Sequence, residues 1–230
     1  MPFDNGRDLA AGQDAPVGYR IEQGADGVRT AAKRAFDLTL AVLLAPAVGL
    51  MVLIIALIIR VFDGHPVLFS QMRVGLGGRV FRCWKLRTMV PGAEDRLEAV
   101  LARDPAAAQE WALYQKLRND PRVTPLGRVL RKTSLDELPQ LWNVLRGEMS
   151  LVGPRPIVPD EIVRYGDSIR HYYGVRPGVT GLWQVSGRSG TSYQERVDMD
   201  RTYAETWTLL GDCGLILRTV SAVISRRGAH

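Results

Sequence analysis

Two cysteines in 230 residues, Cys83 and Cys213, stand far apart with no CxxC pair. That spacing supports neither a disulfide framework nor a structural zinc site, and a reduced compartment is the simple reading. The three histidines, His65, His171 and His230, share no HExxH spacing, and none takes a catalytic or metal role. Serine-hydrolase and P-loop signatures are missing, as are internal repeats and low-complexity runs.

What the chain has instead is apolar bulk and positive charge. Hydrophobic residues make up 46%, the net charge is +6 and the pI is about 9.6. The length suits one domain with a good core, or a core with appendages. The basic balance suits phosphate-bearing partners: nucleic acid, an anionic membrane face or a phosphorylated substrate.

Residues 1–32, with Gly6, Gly12, Gly18, Gly24 and Gly27 among scattered charges, read as a disordered tail. Residues 33–62 read as a membrane anchor. From Leu38 to Ile59 there is no charge over 22 residues, a helix of roughly 33 Å and long enough to cross a bilayer. "APA" at Ala45 to Ala47 formally fits a signal cleavage site, but the apolar run continues well past it. Both flanks are basic: Arg29, Lys33 and Arg34 before, Arg60, Arg73, Arg79, Arg82, Lys85 and Arg87 after. Basic flanks prefer the cytoplasm, and Pro46 bends a helix. A helix hairpin that re-enters on one face satisfies both facts; a plain spanning helix is the alternative.

Residues 63–230 read as a folded domain on the side of the basic flanks. The stretch "PVLFSQMRVGLGGRVFRCWKLRTM" predicts two strands around Gly75-Leu76-Gly77-Gly78, a hairpin turn that matches no phosphate-loop pattern. Helix is expected from Glu94 to Leu117 with an interruption at Pro105, from Ser134 to Leu145, from Asp160 to Tyr172, and from Tyr193 to Arg227 with a break near Gly211. "NDPRVTPLG" and "GVRPGVTGLWQVSGRSG" read as loops. "LILRTVSAVISRR" pairs an apolar face with basic residues, as an interfacial amphipathic helix or a solvent-edged core helix does. The fold class expected is α+β, mostly helical: a re-entrant (monotopic) membrane hairpin, a small β-hairpin and interfacial amphipathic helices.

Two acids stand side by side in "SLDELP". Ser134-x-x-Glu137 matches a capping box, and acids favour a helix start. With Ser134 as the cap, however, Pro139 becomes the fifth helical residue and meets the Leu135 carbonyl. With Asp136 as the cap, Pro139 falls third, where proline is tolerated, and free N–H groups lie beside Asp136. Capping and chemistry are both open on these residues alone. Around them Lys85, Arg87, Arg128, Arg131, Lys132, Arg155 and Arg188 sit in loops or at element ends, and Arg155 is held between Pro154 and Pro156. A few carboxylates among several cations is what a magnesium–diphosphate substrate needs.

"KRAFD", "WKLRTM", "LRKTSLDELPQLWNVLRGEMSLVGPRP", "RPGVTGLWQVSGR" and "DRTYAETWTLL" together resemble the bacterial sugar transferases known as monotopic polyprenyl-phosphate phosphoglycosyl transferases. The likeness runs from about Lys33 to Arg226. Within that family it is nearest the short galactosyl-phosphate transferases that begin succinoglycan-type exopolysaccharides. The resemblance implies transfer of hexose 1-phosphate, galactose first, from a UDP-sugar to undecaprenyl phosphate with release of UMP. It implies Asp136 as a nucleophile that forms a phosphosugar-aspartyl intermediate, Glu137 as a metal or acid–base partner, and Mg2+ held by Asp136 and Glu137. It implies Lys85, Arg131, Arg155 and Arg188 as phosphate binders. Asp200 and Tyr203 match a family pattern with no role assigned. The implied partners are the UDP-sugar, undecaprenyl phosphate and membrane lipids, without nucleic acid; a homo-oligomer stays open. The implied location is the cytoplasmic face of the bacterial inner membrane, with residues 63–230 as the catalytic domain on that face. The family's anchor breaks at Ser-Pro, and this chain has Ala45-Pro46, so the serine hydroxyl is missing. The alternatives are a membrane-bound glycosyltransferase that releases UDP, a donor with glucose or an N-acetylated sugar, and a non-enzymatic basic protein that binds membrane or nucleic acid.

Overall fold

The computed structural model describes residues 25–114, 117, 119–186 and 192–225. The apolar run forms one helix, α1 (Ala25–Phe62), with Pro46 inside it. Its length is about 57 Å. Proline removes one helical hydrogen bond, and helix-forming alanine, leucine and methionine on either side let the helix continue. The two arms expected around Pro46 are therefore parts of a single helix. Residues 25–32, expected in the tail, are its first two turns, and Arg29 explains why. Its guanidinium donates to the Trp207 carbonyl at 2.8 Å and stacks on the Trp207 ring.

The buried positions of α1 are Lys33, Asp37, Ala41, Ile55 and Ile59. At 100° per residue these fall within an arc of about 80°, so one stripe of the helix docks. Between the two docked ends Val42, Leu43, Leu50, Leu53 and Ile54 are exposed, Leu43 at 71%. By length and composition the helix is able to cross a membrane.

β1 (Leu68–Val74) and β2 (Val80–Leu86) form the expected antiparallel hairpin, with Leu68 opposite Leu86 and Val74 opposite Val80. Gly77 and Gly78 take φ of 64° and 79° in its turn, a backbone that disfavours side chains. α2 (Ala93–Arg103) and α3 (Pro105–Tyr114) divide at Pro105 as expected. α4 (Pro125–Thr133) begins inside the stretch read as loop. Thr124 Oγ1 accepts from Gly127 N at 2.8 Å and Pro125 takes the first helical position, a start signal made of residues that also mark turns.

After α4 come a 3-10 turn, Leu135–Glu137, and α5 (Gln140–Arg146). β3 (Ser150–Val152) pairs in parallel with β4 (Gly178–Thr180). The helix expected from Asp160 to Tyr172 is split into α6 (Ile162–Tyr165) and α7 (Ile169–Tyr173) by Gly166 at φ 48°. α8 (Leu182–Ser186), α9 (Tyr193–Thr206) and α10 (Leu209–Ser225) complete the described chain. The last break falls at Trp207-Thr208 rather than near Gly211, because Thr208 Oγ1 accepts from Gly211 N and starts α10 there. α10 buries Asp212 and Leu215 and leaves Leu217 and Val220 exposed.

Four apolar clusters hold these pieces together. Ala41 of α1 joins Phe81, Cys83, Val144 and Met149; Ile55 and Ile59 join Leu86 and Leu130. Val74, Ile157, Tyr165, Tyr172 and Val197 form a third cluster, and Val152, Tyr203 and Leu215 a fourth. A buried polar network crosses between them. Lys33 Nζ lies 2.6 Å from Asp212 Oδ2, Ser150 Oγ donates to Asp37 Oδ2 at 2.8 Å, and Tyr203 OH donates to Asp212 Oδ1 at 3.0 Å.

Candidate active site

Alternation along β2 puts Phe81, Cys83 and Lys85 on one face. Phe81 and Cys83 are buried in the core, and Lys85 continues their line to its edge. Arg73, directly opposite Phe81, shares that face. The edge is closed by the turn that carries the two acids. Ser134 precedes it at φ 57°, ending α4 with its own N–H on the Arg131 and Leu130 carbonyls. Its side chain makes no cap hydrogen bond to the 3-10 turn that follows. The capping-box alternative is thereby removed.

The join is fixed from behind by Asn143, which is fully buried. Its Oδ1 accepts from Trp84 N at 3.1 Å, and its Nδ2 donates to the Arg82 carbonyl at 2.7 Å and to Glu148 Oε2 at 2.6 Å. A buried amide with both ends satisfied sets the register of α5 against β2. Lys85 and Glu137 then meet: Nζ to Oε1 is 2.6 Å.

Asp136 and Glu137 sit in different environments. Asp136 is buried, and burial pushes its carboxyl up to about 6, against the pull of Lys85 and with the help of the Glu137 charge. Burial also raises Glu137, but Lys85 and Arg155 outweigh it and hold the carboxyl below its ordinary value. Adjacent acids pushed apart in this way take different roles: one the more basic oxygen, the other a fixed anion.

In front of Glu137 lies an open cleft. Lys85, Glu137 and Arg155 of the expected residues line it, together with Arg73, Gln140 and Gln184. Asp136 is not on its wall; it is buried beside Glu137. Arg131 lies at the end of α4, its Nε donating to Thr88 Oγ1 at 2.8 Å, close enough to Asp136 to favour the carboxylate. Arg188 lies outside the described residues. Sequence reasoning gave Arg73 only as a flanking charge. The alternation that places it opposite Phe81 was the available signal.

Arg155 reaches the cleft from the Pro154-Arg155-Pro156 segment after β3. That segment is clamped by close backbone contact: Gly178 N donates to the Pro154 carbonyl at 2.8 Å and Arg73 Nη1 to the Pro156 carbonyl at 3.0 Å. The Arg155 guanidinium stacks on Trp183 at 5.3 Å, and Arg196 stacks on the same ring at 5.4 Å.

A family model described as bacterial sugar transferase matches residues 28–226. The chain belongs to the bacterial sugar transferase family. This sugar-transferase chain is 48% identical over 205 residues to the undecaprenyl-phosphate galactose phosphotransferase of Salmonella typhimurium, covering 86% of this chain and 41% of that protein. It is 41% identical over 224 residues to the exopolysaccharide production protein ExoY of Sinorhizobium fredii, covering 96% of this chain and 99% of that one. It is 43% identical over 206 residues to the UDP-glucose:undecaprenyl-phosphate glucose-1-phosphate transferase of Caulobacter vibrioides, covering 86% and 72%. The chain thus spans about two fifths of the Salmonella relative and nearly all of the Sinorhizobium one.

Proposed function

We propose that this bacterial sugar transferase moves a hexose 1-phosphate, galactose 1-phosphate first, from a UDP-sugar to undecaprenyl phosphate and releases UMP, the first membrane step of exopolysaccharide assembly. The observation that carries the reading is the contrast between Asp136 and Glu137: a buried carboxylate raised to about 6 beside one held anionic by Lys85 at 2.6 Å. Displacement at phosphorus needs an oxygen nucleophile shielded from water and cations facing the departing charge. The names of the Salmonella and Sinorhizobium relatives support the lipid acceptor, galactose and the exopolysaccharide role; the Caulobacter name keeps glucose among the donors to be tried.

In the first step Asp136 turns from its buried place beside Glu137 toward the cleft, and a carboxylate oxygen attacks the β-phosphorus of the UDP-sugar. The bond from that phosphorus to the bridging oxygen breaks, and UMP leaves with the electron pair. The sugar phosphate is then held on Asp136. In the second step an oxygen of undecaprenyl phosphate attacks the same phosphorus. The bond to Asp136 breaks, the carboxylate is restored, and undecaprenyl-diphosphate-sugar departs. Lys85, Arg155 and Arg73 hold phosphate oxygens along the cleft, Arg131 favours the Asp136 carboxylate, and Arg188 is retained as a phosphate binder on resemblance alone. Asp136 and Glu137 are two neighbouring carboxylates, and the described residues hold no group of three metal-ligating side chains. That donor set suits magnesium, which takes one or two carboxylates and completes its shell with water and phosphate oxygens. When bound there it supplies neutralising charge to the diphosphate.

The exposed apolar middle of α1, between two ends docked on the same body, supports membrane anchoring, on the cytoplasmic face of the inner membrane in this proposal. The exposed Leu217 and Val220 of α10 add apolar surface to that contact.

The test incubates detergent-purified protein with undecaprenyl phosphate, magnesium and a panel of UDP-sugars, and identifies the nucleotide released. UMP is expected, fastest from UDP-galactose; UDP overturns the reading. Intact-mass measurement without acceptor should show a gain of one hexose phosphate that Asp136→Asn lacks.

A further inference from the structure

α5 carries two buried side-chain amides on one face, Gln140 and Asn143. Asn143 is satisfied at both ends, by Trp84 N, the Arg82 carbonyl and Glu148. Gln140 differs. It is 2% exposed, yet neither end of its side-chain amide is hydrogen-bonded among the described residues, and neither end is sealed from solvent. The amide therefore opens on the cleft, which Gln140 lines together with Glu137, Lys85 and Arg155. A buried amide that the fold leaves unpaired calls for a partner from outside the fold.

Its place decides which part of a substrate it meets. The 3-10 turn of Asp136 and Glu137 runs on into α5 through hydrogen bonds from Leu138 N to the Leu135 carbonyl and from Leu141 N to the Leu138 carbonyl. Gln140 thus follows Glu137 on the same side of one helical path. In an in-line displacement at the β-phosphorus, the attacking carboxylate and the departing UMP lie at opposite ends. The sugar oxygen lies across that line, with two phosphoryl oxygens beside it. The segment that carries the attacking group is therefore close to the sugar and far from the uracil. Phosphoryl oxygens only accept hydrogen bonds, and Lys85, Arg73 and Arg155 stand in the cleft to donate to them. An amide offers a donor and an acceptor together, and a hydroxyl answers both.

We propose that Gln140 is a substrate-binding residue that pairs with a hydroxyl of the transferred hexose and so helps to select the donor sugar. The inference rests on the proposed transfer from a UDP-sugar with Asp136 as nucleophile. A site built to hydrogen-bond a hydroxyl rejects the analogue that lacks it, because the site's own polar group is then left unpaired.

Three measurements on the full-length protein in detergent test it. The first needs no turnover. An amide without a protein partner adds nothing to the fold, so Gln140→Met, of similar length, should melt at the wild-type temperature or above it. A fall of more than about 4 °C would show a structural amide and overturn the proposal. The second compares kcat/KM for UDP-galactose with that for its 2-, 3-, 4- and 6-deoxy analogues. Wild type should lose at least about tenfold on one of them, and in Gln140→Met that same ratio should shrink to within about twofold. No such loss in wild type, or equal ratios in both enzymes, overturns the contact. The third uses UMP, which has no sugar, as an inhibitor. Its inhibition constant should be the same in both enzymes; weakening in step with UDP-galactose would put Gln140 on the nucleotide and overturn the sugar contact. Wild-type protein that releases no UMP from any UDP-hexose overturns the transfer reading itself, whereas turnover with no hydroxyl coupled to Gln140 overturns this inference alone.

Discussion

Lys85 Nζ and Glu137 Oε1 lie 2.6 Å apart, across the join between a strand and the turn that holds Asp136. The pair is about a quarter exposed on each side, so its worth is less in stability than in fixing the charge beside the proposed nucleophile. Lys85→Met should lower kcat/KM for the UDP-sugar by about 100-fold while the melting temperature moves little. Lys85→Arg should recover part of the loss. UMP release measured at several UDP-sugar concentrations checks this, and an unchanged rate in Lys85→Met would remove Lys85 from the site.

Asn143→Ala removes a fully buried amide and leaves the Trp84 N–H and the Arg82 carbonyl without that partner. The cost should be about 2–4 kcal/mol, read as a lower melting temperature in detergent. A loss below about 0.5 kcal/mol would mean that water or a shift of α5 replaces the amide.

Gly153 is enclosed by backbone. A β-carbon there would lie 2.3 Å from the Arg176 carbonyl oxygen and 2.7 Å from Gly178 N. Gly153→Ala must push β3 and β4 apart and carry Arg155 with them. Expected are both a destabilisation of about 1–3 kcal/mol and a fall in activity larger than the folded fraction explains. Thermal melting and UMP release on the same preparation separate the two.

Lys33 and Asp212 form a buried pair. Lys33→Met alone strands a buried carboxylate and should cost about 3–5 kcal/mol. Adding Asp212→Asn should return part of that cost. Melting curves of the two single variants and the double variant check the sign of the coupling; strict additivity would show that the pair does not interact.

Asp200 sets a pH dependence of stability. Burial raises its carboxyl to about 6 in the fold, against an ordinary value of 3.8. Between those values the folded chain binds more protons than the unfolded one, so this group's contribution falls as pH rises through that window. Asp200→Asn has no such slope. The stability of Asp200→Asn relative to wild type should therefore improve by up to about 3 kcal/mol from pH 4 to pH 7. Denaturation at four or five pH values tests it, and a flat difference would contradict the environment described for Asp200.

Local pattern made much of this fold readable. Alternation and glycines gave the hairpin of β1 and β2, and Pro105 gave the division of α2 from α3. Charge and apolar length gave α1 its extent on the C-terminal side. Its first two turns were missed because Arg29 is ordered by Trp207, 178 residues away, and no local pattern records that. α4 was missed because Thr124 and Pro125 serve a helix start and a loop equally well. At the site the motif resemblance supplied Asp136; the helix start that proline geometry put at Asp136 lies instead after Pro139, which takes the cap position of α5. The place of Arg73 in the cleft and the buried setting of Asp200 depend on contacts between distant segments, which spacing along the chain does not carry.

α1 supplies Ala41 to one apolar cluster, Ile55 and Ile59 to another, and Lys33 and Asp37 to the polar network behind β3. It is thus not a detachable leash. Cutting the gene after Phe62 to obtain a water-soluble enzyme would take out the inner wall of the domain, and what is left would expose Phe81, Cys83, Leu86 and Leu130 together. Solubility here has to come from redesigning the outward residues of the helix, such as Leu43, Leu50, Leu53 and Leu57, with its docked stripe left in place.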